Sequence, residues 1–255
     1  MFTSGDQLKS KKWDVEFDEG AHARARLGFI LMSTDLAAED DLYAMRPQGV
    51  GIHITRLKTE DYTTNETLAR HIDTMADAAS RLQPDMKPEV ICYSCTSGSI
   101  VNGEEPVMAE IKKGAPYTQP TTLVTGVVEA LRKLNAKKIV VGTPYLDEIN
   151  LAEAEFLTNK GFQLLDLQGL NLETGIEFGT VTADFWYKFA CKIDQPEADA
   201  VFLSCGGIRS AQVIDRIEQT IQKPVVTSNQ AMFWHCLRKV GIQDKLKGYG
   251  QLFDL

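Results

Sequence analysis

The chain has little positive charge to offer a polyanion. Its 27 lysines and arginines stand against 35 aspartates and glutamates, a formal net charge of −8. Nucleic acid is therefore not an expected partner, and an anionic ligand needs a locally built pocket. No apolar run reaches the roughly 18 to 20 residues of a membrane span, and the N-terminus lacks the apolar core of a signal peptide. No membrane partner is expected, and the expected location is cytoplasmic. Five cysteines in 255 residues make neither a dense disulfide scaffold nor an even pairing scheme, so free thiols are expected. His22, His53, His71 and His235 show no metal-ligand spacing and read as surface or core residues. Gly49-Val50-Gly51 lacks the third glycine of a dinucleotide fingerprint, and no Gly-x-x-x-x-Gly-Lys loop occurs. Neither a metal nor a cofactor is expected.

The 44% hydrophobic content is enough for a sizeable core. After a polar lead-in over residues 1–25, short β-rich runs appear at Leu27–Met32, Val50–Leu57, Glu89–Tyr93, Lys138–Val141, Phe162–Leu167, Ala200–Ser204 and Pro224–Thr227. Segments of helical period lie between or after them at Asn65–Leu82, Thr121–Leu134, Leu146–Lys160, Val181–Lys192, Ser210–Ile221 and Asn229–Val240. Alternation of this kind predicts an α/β protein with parallel sheets. Two of the strands end in a cysteine, Val-Ile-Cys-Tyr-Ser-Cys (90–95) and Ala-Val-Phe-Leu-Ser-Cys (200–205), 110 residues apart. The spacing predicts two pseudo-symmetric α/β lobes facing across a cleft. The expected division is an arm at 1–25, a first lobe at 26–117 completed by 229–255, and a second lobe at 118–228. Ligands of open α/β sheets bind beyond the carboxyl ends of the strands, which places both thiols at one cleft.

The first turn, Ser94-Cys95-Thr96-Ser97-Gly98-Ser99, follows a thiol with hydroxyls that can hold a carboxylate or a developing enolate. In the second, Ser204-Cys205-Gly206-Gly207-Ile208-Arg209-Ser210, the glycines permit close backbone approach to a ligand. A following helix N-terminus is expected to lower the Cys205 pKa below its free value of roughly 8.5. The other cysteines read as packing residues: Cys92 points to the strand face opposite Cys95, and Cys191 and Cys236 lie in helices. Glu39-Asp40-Asp41 reads as a solvated helix start. Trp186 and Trp234 read as core or subunit interface.

With these turns the sequence resembles the aspartate/glutamate racemase superfamily, especially its maleate isomerase and arylmalonate decarboxylase branches. The resemblance spans roughly residues 26–242. Its carriers are Cys-Thr-Ser-Gly from Cys95, Thr-Pro-Tyr from Thr143, Ser-Cys-Gly-Gly from Ser204 and Ser-Asn-Gln-Ala-Met-Phe-Trp from Ser228. It implies Cys95 and Cys205 as the catalytic pair, with Thr96, Ser97, Tyr145 and the amide of Gly206 around a substrate carboxylate. Thr34 lies where the family often contacts its ligand.

Departures from the racemase pattern guide the choice of reaction. Racemases of the superfamily follow their first cysteine with Asn-Thr and their second with Thr, where Thr96-Ser97 and Gly206-Gly207 stand here. Arylmalonate decarboxylases resemble both turns but lack the cysteine at the place of Cys95, because one proton donor suffices for them. The expectation is a cofactor-independent isomerase of a small dicarboxylate, nearest to maleate cis–trans isomerase, and a homo-oligomer. Decarboxylation of a substituted malonate, racemisation and a non-catalytic carboxylate-binding protein are the alternatives. The resemblance also reaches members associated with ectoine utilisation. It favours Cys95 for addition and Cys205 for proton transfer.

Overall fold

The computed structural model describes residues 10–82 and 85–255, so residues 1–9 of the expected arm lie outside it. Residues 10–24 carry neither helix nor strand, and Trp13, Val15 and Phe17 in that stretch are exposed. The strands are β1 (Ala25–Met32), β2 (Val50–Leu57), β3 (Val90–Tyr93), β4 (Gln119–Thr122), β5 (Lys138–Thr143), β6 (Gln163–Gly169), β7 (Ala200–Leu203) and β8 (Val225–Thr227). The helices of the first half are α1 (Ala38–Met45), α2 (Asn65–Ala69), α3 (Met75–Ser80), α4 (Thr96–Asn102), α5 (Glu104–Gly114) and α6 (Leu123–Lys133). The second half adds α7 (Asp147–Asn159), α8 (Gly175–Thr180), α9 (Ala183–Ile193), α10 (Ile214–Ile221) and α11 (Ser228–Lys239).

The strands form two four-stranded sheets of the same order, β2-β1-β3-β4 and β6-β5-β7-β8, with every pairing parallel. The expected pair of parallel-sheet α/β units is borne out. Each sheet is covered on both faces, so its central strands, β1 and β3 in one and β5 and β7 in the other, are largely continuous hydrophobic runs rather than alternating ones. Leu27, Phe29 and Leu31 of β1 face the same core as Ile139, Val141 and Phe202 of the second sheet, through Val127 and Leu131 of α6 and Met232 and Phe233 of α11. The intervening β1 residue Ile30, with Ile91 and Tyr93, faces outward onto α3 and α5. Val140, Val201 and Leu203 likewise face Trp186 of α9 and Ile214 and Ile217 of α10. Five layers result, helix–sheet–helix–sheet–helix, and the middle helical layer is shared.

Three local differences from the sequence expectation have physical causes. The segment expected as one helix at Asn65–Leu82 is α2 and α3 with a tighter 3₁₀ turn over Arg70–Thr74 between them. That turn sends His71 inward, where its ring meets the buried Tyr93. The helix expected from Thr121 begins at Leu123, because Thr121 and Thr122 close β4 and the Thr122 hydroxyl caps α6 by accepting from Thr125 N–H at 3.2 Å. β4 is an edge strand, the position where Pro120 is tolerated. The helical run after Cys95 breaks into α4 and α5 at Gly103, whose φ of 80° suits glycine. No helix among the described residues is long and apolar enough to cross a membrane.

The shared layer is the most sensitive place for a cavity. Phe233 is fully buried, 6.2 Å from Phe29 between ring centroids. Phe233→Ala is expected to lower the unfolding free energy by about 3 to 5 kcal/mol. Denaturant titration checks this, and Leu151→Ala, at an exposed position of α7, is expected to change it by less than about 0.5 kcal/mol.

Candidate active site

The order β2-β1-β3-β4 reverses direction between β1 and β3, and the second sheet does the same between β5 and β7. Such switch points leave a crevice at the carboxyl ends of the strands. Thr34, Cys95, Tyr145 and Cys205 each stand two residues past the end of β1, β3, β5 and β7 respectively. All four line one cleft, together with Thr96, Ser97 and Gly206. The seven residues singled out from sequence are thus brought together. Asp35, His71, Thr59, Tyr62 and Phe178 join them in the wall and were not singled out. Segments from the two halves meet over the cleft, where Thr63 N–H donates to the Glu173 carbonyl at 2.9 Å and Tyr62 bridges Thr174.

Cys95 caps α4, accepting from Gly98 N–H at 3.3 Å with the Ser97 hydroxyl 3.7 Å away. Cys205 accepts from Gly207 N–H at 3.3 Å and adopts φ 127°, a conformation that non-glycine residues rarely hold. Backbone strain of this kind collects at functional sites. Each thiol also meets a tyrosine hydroxyl, Tyr93 for Cys95 and Tyr145 for Cys205. The two turns are tied together by Ser228, whose hydroxyl accepts from Cys205 N–H at 2.9 Å and lies 3.0 Å from the Thr96 hydroxyl. Asn229 donates to the Gly206 carbonyl and to the Asp41 carboxyl, each at 2.8 Å.

Burial pushes both thiols up from their ordinary range, Cys205 far more than Cys95, and the charge of nearby Asp35 adds to this at each. The expected lowering at Cys205 is overturned. No α-helix begins at its turn: a 3₁₀ turn at Ala211–Val213 comes first and α10 starts only at Ile214. Desolvation therefore dominates. The reading of Glu39-Asp40-Asp41 as a solvated helix start also fails at its third member. Those residues do open α1, but Asp41 is buried against Asn229 and burial raises its pKa to about 7. Asp35 accepts from Ala37 and Ala38 N–H at 2.9 and 2.8 Å, yet burial still raises it to about 6. Glu153 of α7 is buried with Ser204 as its polar neighbour and stands at about 7. Among the described residues the cleft lining contains no lysine or arginine. Among the described residues no group of three His, Cys, Asp or Glu could hold a metal ion.

Twin parallel sheets with a thiol at the matching strand end of each, opening on one cleft, define a class of α/β enzyme that works a small substrate between two half-sites. Comparison with known proteins sharpens this. The family model described as arylmalonate decarboxylase matches residues 41–253. The arylmalonate decarboxylase of Bordetella bronchiseptica is 30% identical over 194 residues, 72% of this chain and 78% of that protein. The maleate isomerase of Nocardia farcinica is 24% identical over 245 residues, 89% of this chain and 94% of that one. A cysteine-to-serine mutant of the Nocardia farcinica maleate cis–trans isomerase, solved with a covalently bound succinylcysteine intermediate, superposes with a TM-score of 0.81 at 22% identity, over 90% of this chain and 98% of that one. The chain belongs to the arylmalonate decarboxylase family, and the superfamily resemblance read from its cysteine turns is borne out.

The buried carboxyls make stability depend on pH with a definite sign. Asp35, Asp41 and Glu153 are raised above the roughly 4 of an unfolded carboxyl. Their contribution is complete below about 4 and is lost as pH rises through about 6 to 7. His71 and His235 are lowered to about 4 by burial and oppose this only below about 6.5, where the unfolded imidazoles charge. Between about 8 and about 6.5 the carboxyls therefore act alone, and stability is expected to rise as pH falls through that window. Glu153→Gln should gain about 1 kcal/mol less than the parent across it. Denaturation at both pH values checks this, and an equal gain in the two proteins would show that Glu153 does not titrate there.

Proposed function

We propose that the protein is a cofactor-independent isomerase of a small dicarboxylate, nearest in kind to a maleate cis–trans isomerase. The observation that carries the reading is the placement of Cys95 and Cys205 on one cleft. A decarboxylase of this family needs one proton donor, whereas reversible addition to a double bond needs a nucleophile and a separate donor. The covalent succinylcysteine in the related Nocardia farcinica enzyme supports the same chemistry.

In the proposed cycle Cys95, as its thiolate, adds through sulfur to the alkene carbon beside one carboxylate. The electron pair moves toward the other carboxylate as an enediolate, which the hydroxyls of Thr96, Ser97 and Tyr145 and the Gly206 amide stabilise. Cys205, held protonated by burial, delivers its proton to the carbanion carbon and leaves a succinyl thioether on Cys95. The former double bond is now single and turns. Cys205 takes the proton back, the double bond re-forms in the trans arrangement, and the C–S bond breaks to return Cys95. Asp35 compensates for the missing basic side chains: a bound carboxylate raises its pKa further above about 6, and the neutral carboxyl then donates rather than repels. Thr34, beside Asp35 in the wall, is assigned to the same carboxylate.

The free cysteines support a reducing, cytoplasmic location. The exposed Trp13, Val15 and Phe17 support burial against a second copy in a homo-oligomer. We retain the first lobe as 26–117 with 229–255 and the second as 118–228.

Maleate in heavy water, followed by proton NMR, is expected to give fumarate without carbon dioxide. Cys95→Ser and Cys205→Ser should each lose about 10²-fold or more in turnover while remaining folded. Retention of activity in either variant within a factor of about two, some 0.4 kcal/mol of barrier, would reject the two-thiol mechanism. Carbon dioxide from a substituted malonate would establish the decarboxylase instead. Deuterium entering the α-carbon of an amino acid would establish a racemase. Ligand protection of the thiols without turnover of any of these would establish a binding protein.

A further inference from the structure

Cys95 and Cys205 each stand against one backbone N–H and one tyrosine hydroxyl, and Cys95 also has the Ser97 hydroxyl at 3.7 Å. They differ further in what lies behind the tyrosine. Among the described residues no side chain other than the Cys205 thiol is a close polar neighbour of the Tyr145 hydroxyl, whereas the Tyr93 hydroxyl lies 2.6 Å from His71 Nδ1. The two rings meet edge to face at 86° with both side chains buried. His71 is itself part of the cleft wall, so a continuous path runs from the Cys95 sulfur through a phenol to an imidazole that borders the substrate space. Gly98 keeps that path open: a Cβ there would collide with the Tyr93 hydroxyl and stand 3.0 Å from the Cys95 sulfur.

We propose that His71 is the base that removes the Cys95 proton, acting through Tyr93. At rest the thiol S–H points to the phenol oxygen and the phenol O–H donates to neutral His71. On activation the S–H bond breaks as its proton passes to the Tyr93 oxygen, and the phenolic proton passes to Nδ1. The products are a thiolate, an unchanged phenol and an imidazolium, so protons and charge balance within the chain. Burial holds His71 neutral at rest, with its pKa lowered to about 4, which leaves Nδ1 free to accept. The imidazolium forms only opposite the thiolate, whose negative charge stabilises it. Asp35 is poorly suited to the same task. It accepts from two backbone N–H groups, makes no hydrogen bond to either thiol among the described residues, and its charge makes both harder to ionise. The asymmetry assigns the nucleophile to Cys95 on grounds internal to this chain. It rests on the two-thiol reading of the cleft.

The test measures thiol reactivity and needs no substrate, so its failure is distinguishable from failure of the isomerase reading. In a Cys205→Ser background, alkylation of Cys95 by iodoacetamide is followed by peptide mass analysis with and without His71→Asn. Asparagine can still hydrogen-bond the Tyr93 hydroxyl but cannot take its proton. The expected result is a fall of about tenfold or more in the Cys95 rate, matched by Tyr93→Phe, because the thiolate is the reacting species. Cys205 alkylation, measured in a Cys95→Ser background, should change by less than about twofold on His71→Asn. In the otherwise unaltered enzyme His71→Asn should lower kcat with KM unchanged, since the step lost is chemical. A Cys95 rate within about twofold of the parent, in a His71→Asn protein with a parental melting midpoint, would overturn the proposal. So would an equal slowing of both cysteines, which a purely structural role for the Tyr93–His71 contact produces.

Discussion

The cleft depends on the first turn of α11. Ser228 joins the two half-sites directly, because its single hydroxyl meets Thr96 beside one thiol and the backbone N–H of the other. Asn229 then fixes the Gly206 carbonyl, and Gln230 closes a capping box with Thr227 while donating to the Tyr249 carbonyl. All three side chains are buried, so water does not compete for these bonds and a missing partner leaves a polar atom stranded at about 1 to 3 kcal/mol. The strained backbone of Cys205 is held by this arrangement: with φ at 127°, the residue needs its N–H and its neighbour's carbonyl both anchored. Two sheets separated by a helical layer can thereby place groups from either sheet to within bonding distance of one side chain.

The same burial shapes the chemistry. A water-poor cleft raises both thiols and the Asp35 carboxyl, so the thiols rest protonated while Asp35, at about 6, is still largely ionised near neutral pH. The thiolate has to be created in the reaction. That favours a design in which each ionisation is matched by a nearby proton acceptor or donor. In the proposed cycle Cys205, which burial pushes up strongly, holds and returns a proton, and Cys95 loses one.

The sequence reading went furthest where period and strand ends carry the information. The apolar runs ending at Tyr93 and Leu203 marked two buried strands, and the residues just beyond them line the cleft because chain direction and strand order force them there. Features set by partners distant in sequence were not legible. Asp41 looked like one of three acidic residues opening a helix; its partner Asn229 is 188 residues away. His71 looked like an isolated histidine, since its partner Tyr93 lies on a different element and the 3₁₀ turn that points the ring inward has no strong local signature. The run Ser33-Thr34-Asp35 carried one usable signal, an acidic residue just past an almost fully buried strand, but nothing local distinguished it from a helix cap. Electrostatics failed for a related reason: the Cys205 shift follows from desolvation by the whole fold, not from the element that comes next.

How a substrate reaches the thiols follows from where the apolar surface lies. Swinging the two sheets apart would break into the shared layer, exposing Phe29, Leu131, Met232, Phe233 and their neighbours. Each such side chain costs about 1.5 to 3 kcal/mol to expose, so the four named alone cost about 6 to 12 kcal/mol, comparable with the whole stability of an ordinary domain, roughly 5 to 15 kcal/mol. The contacts between residues 62–63 and 173–174 above the cleft are of another order. Among the described residues one backbone hydrogen bond, part of the isolated Tyr62–Thr174 bridge, holds the two segments together there, worth about 1 kcal/mol net, and Tyr62 is already exposed. Parting these covering segments therefore costs far less than parting the sheets, and it leaves Ser228 in register with both thiols. Separating the two tasks lets the cleft exchange its ligand without disturbing the geometry on which the paired thiols depend.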